Sequence, residues 1–155
     1  MAEVLATPRS HRQHSARLRR RRDDLWIAST ALVAAMLALP LAPSSWHGPE
    51  VAAVLAVAAT ALLAGQRWAI AVIVVAQLLL MPTIWPRAFL PGGELVTRIA
   101  ALGSLVAIVP GVLAMRRAAA ALVLVTGRPR TRETCRRYHV VLMLSGAIVT
   151  LLPLV

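Results

Sequence analysis

Long uncharged apolar runs alternate with short polar or basic segments along this chain. Residues 25–41, for example, contain no charged side chain, and a polar stretch with two prolines follows their last turn. An apolar helix needs about 20 residues to cross the ~30 Å hydrocarbon core of a bilayer, and flanking residues can extend the shorter runs. The pattern therefore predicts a bundle of about five transmembrane helices, at residues 25–41, 50–65, 68–84, 95–115 and 139–155.

Two segments between the last runs follow a different pattern. Residues 116–126 are too short to span a bilayer and too apolar to remain in water, so we expect them to emerge from the fourth helix or to lie in the membrane interface. Residues 127–138 hold five arginines and form a predicted cytoplasmic loop. Within that loop, Thr131 is expected to cap a short helix on which Glu133 and Arg137 pair four residues apart.

The ends of the elements and of the domain also have local signals. Gly65 and Gly127 each follow an apolar run, and glycine is the residue that most often ends a helix in the left-handed conformation. Residues 1–22 are rich in arginine and poor in apolar side chains, which predicts a disordered basic tail on the cytoplasmic side. We expect residues 23–155 to form one membrane domain.

Composition strengthens the membrane interpretation. Hydrophobic residues make up 59% of the 155 residues, charged residues make up 15%, and the mean hydropathy is +0.72. Soluble domains of this length are less apolar and more highly charged, so we predict an all-α, multi-pass integral membrane protein. The exclusive use of arginine among the 17 basic residues, with abundant alanine, points to the cytoplasmic membrane of a high-GC bacterium.

The net charge of +11 is distributed as a topology signal. The arginines fall in short blocks between the apolar runs, so no nucleic-acid partner is expected. If the N-terminus is cytoplasmic, five spans place fifteen arginines on the cytoplasmic side and leave only Arg87 and Arg98 on the outer side. The C-terminus is then also expected on the outer side. All four tryptophans then lie at membrane interfaces, where amphipathic rings prefer to lie. Arg98 is expected to snorkel to the outer head groups or to contact an anion.

The sequence offers few candidates for catalytic chemistry. Of the six acidic residues, only Glu50 falls in a predicted span, as its first residue, whereas acid–base catalysis and ion-coupled transport normally use protected ionisable groups. Cys135 and His139 share a face of the predicted short helix, but two ligands do not make a metal site. We therefore expect no catalytic residue, no metal site and no cofactor.

Three sets of residues are candidates for packing or binding. Gly103, Ala107 and Gly111 form a stripe of small residues that lets helices approach closely. Gln77 and Arg98 are candidates for a polar contact or a transport pathway. The third set consists of arginines near predicted cytoplasmic ends, which we expect to contact anionic lipid head groups or an acidic partner. Its members are Arg116, Arg117, Arg128, Arg130, Arg132, Arg136 and Arg137.

Two functional hypotheses follow from these patterns. The first is a non-enzymatic accessory or assembly subunit of a larger membrane complex, whose partners are other membrane subunits or a second copy of itself. The alternative is a small oligomeric transporter, channel or lipid-handling protein, which requires Gln77, Ser104 and Arg98 to converge on one cavity. An enzyme is the third choice, and its polar groups would have to meet outside the membrane. That set comprises His47, Glu50, Arg87 and Glu94.

Overall fold

The computed structural model describes residues 8–39, 48–89 and 94–151. In these ranges the chain folds into six helices and contains no strand, which confirms the prediction of an all-α protein. The helices are α1 (Pro8–Ala38), α2 (Gly48–Leu63), α3 (Ala69–Phe89), α4 (Leu95–Leu113), α5 (Met115–Val125) and α6 (Arg132–Leu151).

Helix α1 is longer than the apolar run that predicted it. Residues 8–22, expected to be disordered, form its first half, and residues 1–7 lie outside the described ranges. Pro8 suits the first position of a helix, no glycine interrupts the next 30 residues, and arginine is a good helix former. Because adding a turn to an existing helix is easier than starting one, the apolar half supports the basic half. The 31 residues reach roughly 46 Å.

Helices α2 and α3 are joined by a short turn. Gly65 has a φ of 88°, which confirms that glycine ends the second helix. Helix α3 is longer than predicted. It contains Pro82 and Pro86 and continues past residue 84 to Phe89. The two prolines lie one turn apart near its end, and the burial of Ile84 and Ala88 holds this last part against its neighbours.

The apolar stretch after residue 94 is divided into two helices. The predicted span of residues 95–115 ends at Leu113, and the chain continues through Pro110 before the break. At the break, the backbone N–H of Ala114 donates to the carbonyls of Pro110 (3.1 Å) and Gly111 (3.0 Å). Residues 116–125 of this segment therefore belong to a separate helix, α5, whose C-cap residue Thr126 is followed by Gly127 with a φ of 64° as predicted.

Helix α6 begins seven residues before the predicted span, so most of the expected loop of residues 127–138 is helical. The reason is local, since the hydroxyl of Thr131 accepts a hydrogen bond from the backbone N–H of Thr134 at 3.1 Å. Arg137 donates to Glu133 one turn later on the helix. The predicted cap and the predicted pair are both confirmed, and residues 152–155 lie outside the described ranges.

The first four helices form a closed ring. Helix α1 packs against α2 and α4, and α3 packs against α2 and α4 on the opposite side. Helices α5 and α6 pack against each other and against α3, as an addition to one side of the ring. Small side chains let these helices approach closely, and most of the buried residues of α1 and α5 are alanines.

In the part of the chain that the structure describes, two helices, α3 and α4, are long and apolar enough to cross a membrane. The apolar part of α2, Pro49–Leu63, is shorter. One or two such helices give weak support for a membrane location, since a core helix of a soluble protein has the same length and composition. The arrangement with five spans is therefore not confirmed by the fold.

Candidate functional site

The seven arginines expected to contact head groups or an acidic partner fall into three groups. Arg117 forms an ion pair with Asp24 of α1, and Arg137 forms one with Glu133. Two others, at positions 128 and 130, are exposed in the connection between α5 and α6. The remaining three line one groove, and they are Arg116, Arg132 and Arg136.

This groove, called the basic groove below, lies between the first turns of α5 and the first two turns of α6. It has a volume of about 760 Å³ and is open to one side. Residues three or four apart on a helix share a face, and four of its lining residues follow that spacing on α6. The groove is lined by Arg116 from α5 and by Arg132, Glu133, Cys135, Arg136 and His139 from α6.

The electrostatic balance of the basic groove is positive. Within the described ranges, its three arginines form no ion pair, whereas its one acidic residue, Glu133, is bound by Arg137. The groove also lies at the start of α6, where the helix dipole and unpaired backbone N–H groups favour negative charge. These features together suit an anion.

Cys135 and His139, which share a face as expected, are both half-buried in this groove. The Nδ1 atom of His139 is shielded from solvent and has no hydrogen-bond partner in the described part of the chain. Among the described residues, no group of three or more His, Cys, Asp or Glu side chains is arranged to hold a metal ion. The groove therefore presents guanidinium and imidazole groups to a ligand.

A second groove, of about 730 Å³, lies between α1 and the end of α2. Both grooves lie at the same end of the protein, because the ion pair between Asp24 and Arg117 connects them. Asp24 is next to Asp23 of this groove, and Arg117 is next to Arg116 of the basic groove. Its lining combines charged and apolar side chains. The groove is lined by Arg19, Arg22, Asp23, Leu25, Trp26, Ser29, Leu32 and Leu63.

The polar side chains proposed for a pathway are placed differently. Gln77 of α3 and Ser104 of α4 are buried, with relative exposures of 1% and 0%, and their polar atoms have no protein partner within the described ranges. Arg98 lies at the first turn of α4 and is half-buried. None of the three lines either groove.

The stripe of small residues on α4 faces the protein's own helices. A Cβ atom at Gly111 would lie 1.7 Å from Oε1 of Gln77, so the glycine makes room for the buried amide. A Cβ atom at Gly103 would lie 3.0 Å from Cδ1 of Leu37 on α1. Ala107 between them is buried. The stripe therefore serves the packing of α4 against α1 and α3.

Two long-range contacts had no signal in the sequence. The ion pair between Asp24 and Arg117 joins residues 93 positions apart. The indole Nε1 of Trp85 donates to the carbonyl of Thr150 at 2.8 Å and ties the end of α3 to the end of α6. In the set considered for an enzyme, His47 lies outside the described ranges, and Glu50 and Glu94, with Arg87, line neither groove.

No protein-family model, no curated protein and no solved structure matches this chain. Its function must therefore be argued from the basic groove, the enclosed polar groups and the apolar surface.

Proposed function

We propose that this chain is a small multi-pass membrane protein, with a cytoplasmic N-terminus, that acts as an accessory or assembly subunit of a larger membrane complex. The observation that carries the proposal is the sparse packing of α6. Only Leu142 and Gly146 of its 20 residues are buried. A helix with so few packing contacts leaves an apolar face on which a second membrane protein can dock.

The apolar surface of α4 supports a membrane location. Seven large apolar side chains on this helix are exposed, and six of them recur at spacings of three or four residues that put them on one side. Soluble proteins rarely expose contiguous apolar patches larger than a few hundred Å², whereas lipid covers such a surface at no cost. The seven are Leu95, Val96, Ile99, Leu102, Val106, Val109 and Leu113.

Contacts between the helix ends support the predicted order of crossings. At one end, α1 pairs with α5 through Asp24 and Arg117, and the Tyr138 hydroxyl of α6 donates to Thr126 at 3.3 Å. The contact between Trp85 and Thr150 lies at the other end. Both grooves lie at the first end, where their arginines would keep it in the cytoplasm.

The enclosed polar groups favour the subunit over the transporter. A pathway needs polar side chains that face a shared water-filled space, and Gln77 and Ser104 are instead covered by neighbouring helices. A side chain that no solute reaches does not select a solute. The side of α6 opposite the basic groove offers a docking surface instead. Its exposed residues, called the docking stripe below, are Val141, Ser145 and Ile148.

The test is purification of the tagged protein from its host in a mild detergent, followed by native mass spectrometry. A stoichiometric second chain is expected with the wild type. Val141→Trp adds bulk to the docking stripe and should remove most of that chain, whereas the matched Val106→Trp on α4 should retain it. Both positions are exposed, at 59% and 71%, so neither tryptophan clashes inside the protein. A homo-oligomer without a second chain, or equal retention by both variants, would contradict the proposal.

Topology is tested separately in a Cys135→Ser background. New cysteines replacing Ser45 and Thr131 should react with an impermeant maleimide from opposite sides of the membrane. Labelling from one side only would overturn the five crossings. Release of the protein from membranes by alkaline carbonate would overturn the membrane location itself.

A further inference from the structure

We propose that the basic groove binds a phosphate group, and that the phosphate belongs to the head group of an anionic phospholipid. The lipid source rests on the membrane location proposed above, whereas the affinity of the groove for phosphate does not. Three features support the site: the pairing of the arginines, the shape of the groove and the surface that continues from it along α6.

The pairing of charges separates structural arginines from available ones. Arg117 and Arg137 are each held by a carboxylate, while the three arginines that line the basic groove form no ion pair in the described ranges. Guanidinium groups bind phosphate through two parallel hydrogen bonds, and several of them around one concave site form a strong anion site. The groove thus brings together three arginines whose charge no carboxylate of the described ranges compensates.

The groove also has the size and the spare donors that a phosphate site needs. Its volume of about 760 Å³ falls within the roughly 300–1,000 Å³ usual for small-molecule sites. Its carboxylate, Glu133, is engaged by Arg137 and therefore repels an anion less than a free acid would. His139 also lines the groove and adds an imidazole ring to its wall.

The source of the phosphate is indicated by the surface beyond the groove. Arg132, Arg136, Val140 and Met143 recur every three or four residues and so form one stripe along α6. The first two are charged and line the groove, and the last two are exposed and apolar. A phospholipid matches this order, with its phosphate among the arginines and its acyl chains along the apolar half. This stripe lies on the other side of α6 from the docking stripe.

Cys135 provides a reporter for occupancy, because it lines the groove and is the only cysteine in the chain. The full-length protein is placed in nanodiscs of phosphatidylcholine, with or without phosphatidylglycerol, and the rate of Cys135 alkylation by a soluble maleimide is measured. If the anionic lipid is present at about four times its dissociation constant, one site in five stays open, and alkylation should slow roughly fivefold. A third sample contains phosphatidylcholine discs with inorganic phosphate.

Two double variants with equal charge change separate the groove from a general surface effect. Arg132→Gln with Arg136→Gln removes groove arginines, whereas Arg128→Gln with Arg130→Gln removes exposed arginines outside it. A general effect of the anionic membrane surface would slow alkylation of Cys135 equally in the two double variants. The proposal requires that protection be lost in the first variant and kept in the second. The single variant Arg116→Gln, from the opposite wall, should lose part of the protection, and size-exclusion chromatography checks that each variant is folded.

Each outcome decides a part of the proposal. Protection by phosphatidylglycerol alone supports a lipid head group, and protection by inorganic phosphate in phosphatidylcholine discs supports a soluble phosphate ligand instead. Equal behaviour of the two double variants, or alkylation rates that no condition changes, overturns the phosphate site. Failure of the subunit proposal would appear in the purification of the Val141→Trp variant and leave this assay unaffected.

Discussion

Two of the regions that hold polar groups without protein partners in the described structure treat these groups in opposite ways. Between α3 and α4, the amide of Gln77 is enclosed against the backbone at Gly111. At the start of α6, Arg132 and Arg136 are exposed beside an open groove. The first region is closed to any ligand, and the second is accessible to one.

The difference shows that a missing partner has two meanings. An enclosed polar group lowers stability unless something satisfies it, because it has lost its hydrogen bonds to water. An exposed cation keeps its hydration and loses little until a ligand replaces the water. Substitutions in the α3–α4 interface should therefore change stability, and substitutions around the basic groove should change binding.

The largest effect is expected from Gly111→Ala. Its new Cβ atom would lie 1.7 Å from Oε1 of Gln77, so the amide or one of the helices must move. Overpacking of this kind costs about 1–3 kcal/mol. A fall in the thermal unfolding temperature of the protein in detergent would report it.

Gly103→Ala is the matched control on the same helix. Its Cβ atom meets only the flexible end of Leu37, at 3.0 Å, and alanine gains about 1 kcal/mol over glycine in helix propensity. We expect unfolding close to that of the wild type. Wild-type stability in Gly111→Ala as well would mean that Gln77 does not lie against Gly111.

Replacing the enclosed amide should have the next largest effect and the opposite sign. Gln77→Leu removes a buried polar group without a partner in the described structure and keeps a side chain of similar volume. The unfolding free energy should rise by about 1 kcal/mol. Reversible unfolding in detergent and denaturant measures it. A loss of stability would show that the amide is satisfied in solution, and the transporter alternative would then gain support.

The sequence predicted features that depend on neighbouring residues better than features that depend on distant ones. The helix ends at Gly65 and Gly127 and the cap at Thr131 were predictable, because each depends on a few adjacent residues. The helical state of residues 8–22 was missed, because their composition resembles a disordered tail and their support comes from the apolar half of α1. The contact of Trp85 with α6 had no sequence signal.

The basic groove was predictable only in part. Its three arginines belong to the seven named from the sequence, but nothing local separates Arg116 from Arg117. The two arginines differ because Asp24 of α1 pairs with Arg117, and the two residues lie side by side only in the folded protein. The proximity of Asp24 and Arg117 cannot be predicted from a single sequence.

A smaller loss of stability is expected when the ion pair between α1 and α5 is broken. Asp24→Asn and Arg117→Gln should each cost up to about 1 kcal/mol, because the ion pair is about one-third exposed and partly screened by water. The double variant should cost less than the sum of the two. Arg116→Gln, at the next position and without an acidic partner in the described ranges, should leave the unfolding temperature unchanged. Strict additivity in the double-mutant cycle would show that the pair contributes nothing.

Breaking the pair of Glu133 and Arg137 is expected to change stability least. The same pair provides the sharpest test of the basic groove. Both side chains are more than 70% exposed, so breaking this pair should cost less than about 0.5 kcal/mol. Its two single variants nevertheless change the groove in opposite directions. Glu133→Gln removes the acid that lines the groove and should increase the protection of Cys135 by phosphatidylglycerol.

Arg137→Gln instead leaves Glu133 free to repel a phosphate or to bind a neighbouring arginine, and it should decrease that protection. The comparison is informative because each variant changes the charge at almost the same place by one unit. A ligand attracted only to the general positive surface would respond weakly to both. Glu133→Gln adds one unit of positive charge and Arg137→Gln removes one, so any anion should respond with opposite signs, but a ligand held inside the groove must respond strongly to both, because the carboxylate of Glu133 lies beside the bound phosphate.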